Sequence, residues 1–117
     1  MEHEVKYIRA AFVPTGMPWF TAGLEAGFEK ESIKSFVGSH LDIRATHRQG
    51  IALFIGLNKK ETEYNRAATH LYIDGYTKPI FGNAAVIRFA DDGTIVDLTD
   101  ADIQWLERRN GRNHENL

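Results

Sequence analysis

Apolar residues at the start of the chain fall on both faces of an extended segment. In VKYIRAAFV, Val5, Tyr7, Ala11 and Val13 share one face and Ile8, Ala10 and Phe12 the other. This pattern predicts a strand covered on both sides. Pro14 removes a ladder donor, and the glycine-rich TGMPWFTAGLEAGF predicts a long loop with a short second strand near Phe20. Over residues 30–37 the period changes. Ile33, Phe36 and Val37 recur at helical spacing on a polar background, and Gly38 stands where a left-handed C-terminal cap belongs. Residues 40–46 and 51–57 return to strand patterning, joined by HRQG with Gly50 as the turn residue. In the first of these, Leu41, Ile43 and Ala45 alternate with Asp42, Arg44 and Thr46, giving one core face and one wet face. The second, IALFIGL, is almost wholly apolar and reads as central.

Residues 59–63 predict a solvated charged loop. Residues 64–72 then predict a short helix with Tyr64, Ala67, Ala68 and Leu71 as a narrow apolar stripe and Asn65 at its capping position. Residues 79–90 and 94–98 form a further strand pair around the turn Asp91-Asp92-Gly93. The last element is the clearest helix. Thr99 caps it, Asp100 and Asp102 suit its positive end, Ile103, Trp105 and Leu106 give it an apolar side, and Arg108 and Arg109 suit the other end. Asn110-Gly111 stops it. The expected architecture is α+β: a mostly antiparallel sheet of about five or six strands with two or three helices packed on one face. One domain spans residues 1–110, and residues 111–117 fray.

With 117 residues, 43% of them hydrophobic, the chain has the size and composition of a single globular domain. A formal charge of -2 argues against a general nucleic-acid binder, which carries a basic stripe. The absence of cysteine excludes disulfides, thiolate nucleophiles and zinc-cysteine sites. No segment reaches the ~20 apolar residues of a membrane span, and no basic start precedes an apolar run, so the expectation is a cytoplasmic, non-membrane protein.

Candidate chemistry is sparse. His3, His40, His47, His70 and His114 include no pair at metal-binding helical spacing, so neither a metal nor a cofactor is expected. His70 as a general base, with Asp42 or Asp97 nearby, gives an enzymatic reading, but there is no nucleophile elbow or paired acid to support it. Asp91-Asp92 before a glycine is a turn, and GLEAG lacks the phosphate-cradling spacing. The segment from Asn65 to His70 has two readings. In one, Asn65 caps, the alanines pack and Arg66 is solvated. In the other, Arg66, Thr69 and His70 form a polar rim where the arginine grips a phosphate or carboxylate, helped by free helix-start N–H groups and joined by Arg44, Lys78 and Arg88 if these converge. Met17, Trp19 and Phe20 either fold back onto the core or stand exposed as a contact surface, most simply for a second copy in a homo-oligomer.

The stretches ESIKSFVGSHLDIR, GIALFI, EYNRAATHLY and PIFGNAAVIRFADDGTIVDLTDADIQWL together resemble a phage-encoded family of small domains of unknown function. The family pattern is a helix ending in Val-Gly-Gly, a strand bearing an acidic residue, an Asn-Arg-Ala segment, Ile-x-Gly before an apolar strand, and an acidic turn before a final helix. Val37-Gly38-Ser39, Asp42, Asn65-Arg66-Ala67 and Ile80-Phe81-Gly82 take those places, over roughly residues 31–106. Ser39 departs from the second family glycine, and the aromatic stretch of residues 14–28 has no counterpart. The resemblance implies phage origin and an α+β fold, with no established activity. The expected function is a non-enzymatic binding protein that counters host antiviral defence by sequestering a small anionic nucleotide signal, with Asn65, Arg66, Thr69, His70, Arg44 and Lys78 as ligand-binding residues. The alternative is a protein inhibitor of a host defence enzyme that anchors through Met17, Trp19 and Phe20.

Overall fold

The structure, a computed structural model, describes residues 5–57 and 63–110. The expected charged loop, apart from Glu63, lies outside the described residues, as do Gly111 and the tail beyond it. In chain order the elements are β1 (Tyr7–Val13), β2 (Phe20–Glu25), α1 (Glu29–Val37), β3 (Leu41–Ala45), β4 (Ile51–Gly56), α2 (Arg66–Leu71), β5 (Ala84–Phe89), β6 (Ile95–Val96) and α3 (Asp100–Asn110). The strands form one six-stranded sheet in the order β2-β1-β5-β4-β3, with β6 beside the end of β5. Every pairing is antiparallel.

The α+β sheet and its three helices match the expectation, but the helices are divided between the two faces. Along β5, Ala84 and Val86 enter one apolar core and Ala85 and Ile87 the other. The first core also holds Leu53 and Ile55 of β4, with Ala68 and Leu71 of α2 and Trp105 and Leu106 of α3 packed on them. The second holds Ala10, Leu24 and Phe54 under Ile33 of α1. The cause is local. All six residues of β4 are buried, so helices on one side alone would leave Phe54, Ala85 and Ile87 in water, at ~25 cal/mol per Å² of apolar surface.

The glycine-rich segment is shorter than its composition suggests, because β2 is a full strand paired with β1 from Tyr7↔Glu25 to Phe12↔Phe20. Gly23 hides this strand in the sequence. A Cβ there would lie 3.0 Å from the Cβ of Tyr7, so the missing side chain makes room for that tyrosine. Gly38 does end α1, but with φ 129° and ψ 165°. That is an extended, glycine-only region rather than the compact left-handed cap.

After α2 the chain turns through residues 73–77 and runs back, so that Tyr64 and Phe81 form an isolated antiparallel bridge. Gly75 permits this turn, since a Cβ at that position would collide with the carbonyl oxygen of Thr69. Gly75→Ala is therefore expected to destabilise the protein by ~1–3 kcal/mol, the usual range for overpacking, measured by urea unfolding. A neutral result would mean that the turn moves freely away from α2.

Candidate functional site

The polar groups of EYNRAATH divide into an inner and an outer set. Asn65 is 2% exposed. Its side-chain oxygen accepts from the N–H of Ala68 at 3.0 Å, which caps α2. Its Nδ2 donates to the carbonyls of Val13 at 2.9 Å and Gly82 at 2.8 Å, tying the helix start to the end of β1 and to the segment just before β5. Thr69 is buried beside it: its hydroxyl donates to the Asn65 carbonyl at 2.7 Å and accepts from the N–H of Ile80 at 2.9 Å. These groups are bonded to one another and to the backbone, although Asn65 and Thr69 each touch the wall of a cleft described below. α2 is only six residues long, and its asparagine cap takes up the N–H of Ala68, which is therefore not free for a ligand.

Arg66 and His70 form the outer set, and both are exposed. They line a cleft of about 550 Å³ with Pro14, Met17, Tyr64 and Arg109. A second cleft of about 460 Å³ adjoins it. It shares Tyr64, His70 and Arg109 and adds His47, Tyr72 and Tyr76. The two make one groove along α2, closed on one side by the last turn of α3, where Asn110 Nδ2 donates to the carbonyl of Ala67 at 3.4 Å. Among the described residues no carboxylate lines either cleft. Its cationic groups therefore face the opening without an internal counter-charge, an arrangement suited to anions.

Nothing in the sequence marks Arg109 as a binding residue. Its only local signal is a basic side chain in the last turn of a helix, which equally serves the helix dipole. Only the packing of α3 against α2 brings it to the groove.

Arg44 and Lys78 do not join Arg66 in either cleft. They line a separate one of about 420 Å³ with Tyr72, Ile80 and Phe81, and Arg44 forms an ion pair with Asp42, its neighbour along β3. The fourth basic candidate, Arg88, is occupied: Nε and Nη2 donate to both oxygens of Asp102, at 2.7 and 2.8 Å. Arg48 Nε reaches the same carboxylate at 2.6 Å. Asp102 is fully buried, and in a reciprocal capping arrangement it accepts from the N–H of Thr99 while its own N–H donates to the Thr99 hydroxyl. This ion cluster is structural and was not apparent in the sequence.

The proposed contact trio separates too. Trp19 is 2% exposed and sits in the first core. Phe20 is half-buried, with its ring 5.8 Å from Phe12 and 6.1 Å from Phe36. Only Met17, 64% exposed, faces outward, and it forms part of the wall of the Arg66 cleft. Burial of a tryptophan removes far more apolar surface from water than burial of a methionine, so the aromatic members fold inward.

The carboxylates considered as partners for His70 lie elsewhere. Asp42 pairs with Arg44, and Asp97 accepts from the N–H of Arg9 at 2.7 Å. Among the described residues no three His, Asp or Glu side chains cluster in a way that could hold a metal ion, and no helix is long and apolar enough to cross a membrane. Comparisons with protein-family models, with curated proteins and with solved structures found no match for this chain.

Proposed function

We propose that the protein is a non-enzymatic binder of a small anionic nucleotide, held in the groove between α2 and α3. The observation that carries this reading is the convergence of Arg66, His70 and Arg109 on a groove with no lining carboxylate among the described residues. Arg66 and Arg109 are the phosphate ligands in this reading, through charge-assisted and bidentate hydrogen bonds. Tyr64 and the fully exposed Tyr76 supply flat surfaces on which a base stacks. The resemblance to phage-encoded domains supports a setting for this activity, a phage protein that withholds a nucleotide signal from host antiviral defence.

The test is to mix the purified protein with nucleotides extracted from defence-activated bacteria, isolate and heat the protein, and identify the released compound by mass spectrometry. An intact nucleotide is expected. Each arginine contributes a hydrogen bond to a charged group, ~1.5–3 kcal/mol, so Arg66→Ala and Arg109→Ala should each weaken capture at least tenfold. Release of an altered compound would indicate an enzyme, and release of nothing would overturn the reading.

The exposure of Met17 supports one alternative, an inhibitor that docks on a host defence enzyme beside this groove. A complex abolished by Met17→Asp and indifferent to added nucleotide would favour it.

A further inference from the structure

The groove and the Arg44–Lys78 cleft are both walled in part by one lobe, the segment that runs from Tyr64 through α2 and back to Phe81. They meet at two places. Tyr72 contributes to the wall of both. At the base of the lobe the rings of Tyr64 and Phe81 meet edge to face with centroids 5.9 Å apart. Each ring is about half exposed, Tyr64 at 49% and Phe81 at 41%, so the pair forms an aromatic surface with one edge in the Arg66 cleft and the other in the Lys78 cleft.

The Lys78 cleft, like the groove, has no lining carboxylate among the described residues. Arg44 shares its charge with Asp42 through one terminal nitrogen, which leaves other donors of its fork, and Lys78 stands exposed at the rim. The surface therefore has two cationic ends separated by aromatic rings. A mononucleotide, with one base and phosphates on one side, satisfies only one end. Each cleft is separately within the ~300–1,000 Å³ of ordinary small-ligand sites.

Building on the proposed nucleotide site, we infer that its ligand is a dinucleotide: two nucleotides joined by a phosphodiester, with one phosphate at Arg66 and Arg109, the other at Lys78 and Arg44, and a base over the Tyr64–Phe81 pair. Sequence-tolerant recognition of linked nucleotides by alternating cations and aromatic rings has this chemistry. The net charge of -2 argues against the extended basic face of a general nucleic-acid binder.

The experiment is calorimetric titration of the full chain with AMP, with ADP and with the linear dinucleotide pApA, repeated on Lys78→Glu. Lys78 is exposed, so reversing its charge spares the core. The expected result is that pApA binds at least tenfold more tightly than AMP or ADP, and that Lys78→Glu removes this advantage while AMP affinity stays within about twofold. ADP binding as tightly as pApA would show that phosphate count alone matters and would overturn the two-base assignment. An advantage for pApA that survives Lys78→Glu would overturn the role of the second cleft. AMP binding that depends on Arg66, with no gain for pApA, would overturn this inference and leave the nucleotide site standing. No binding of any of the three would overturn both.

Discussion

Replacing Asp102 with alanine is expected to destabilise the protein by ~3–5 kcal/mol, the cost of breaking a buried ion pair from one side. The carboxylate joins three parts of the chain: Arg48 before β4, Arg88 on β5, and Thr99 at the start of α3. Removing it leaves two partly buried guanidinium groups facing each other with nothing between them, and an open cap on the helix that helps to wall the groove. The cluster also predicts a pH dependence. Burial pushes the Asp102 carboxyl up, but the bonds from Arg88, the Thr99 N–H, Arg48 and the Thr99 hydroxyl outweigh burial and hold it well below the usual carboxylate range. The unfolded chain takes up this proton near pH 3.9, before the folded chain does. Stability from this group is therefore complete above that range and is lost as pH falls below it, at up to ~1.4 kcal/mol per pH unit. Urea midpoints between pH 5 and 3 should fall more steeply for the parent protein than for Asp102→Asn. Glu29 and Asp92, whose carboxyls are also lowered by hydrogen bonds, remain in both proteins and cancel. Equal slopes would mean that the cluster does not couple to folding.

Asn65→Ala is the second substitution with a large expected effect, about 3 kcal/mol. Loss of the cap alone accounts for ~1 kcal/mol. The remainder comes from the carbonyls of Val13 and Gly82, which lose their donor at buried or partly buried positions, at ~1–3 kcal/mol for each unsatisfied group and less where water enters. Asn65→Ser separates the two roles, because serine keeps the capping oxygen and cannot reach both carbonyls. It is expected to recover only about 1 kcal/mol of the loss in urea unfolding. Full recovery by serine would mean that the bonds to Val13 and Gly82 contribute little, and that α2 is held by its apolar stripe.

The strands with apolar residues on both parities were legible as covered on both sides or central, and both β1 and β4 lie inside the sheet. Two of the three helix starts were also legible, Asn65 from its residue type before a short amphipathic run and Thr99 as a capping residue ahead of an acidic first turn. The two-sided helix packing was implicit in IALFIG, whose both faces need cover, but no local pattern says which helix goes to which face. Long-range convergence was not legible. Arg48 and Asp102 meet across 54 residues, and nothing near either marks the other. The same holds for Arg109, which reaches Arg66 only through the contact of α3 with α2. Arg44 and Lys78 are marked in the sequence by charge alone, and charge does not report on which cleft a residue lines. Trp19 was misleading for a different reason: its glycine-rich neighbours suggested an exposed loop, whereas they form a turn and an edge strand that carry it inward.

A two-dimensional amide and side-chain NMR titration of the protein with AMP tests the nucleotide site directly. Saturable shifts are expected at Tyr64, Arg66, His70, Tyr76 and Arg109, with the distant cleft around Glu29, Lys30 and Thr94 unmoved. Shifts centred on that distant cleft, or no shifts at millimolar AMP, would contradict the assignment of the α2–α3 groove as a nucleotide site.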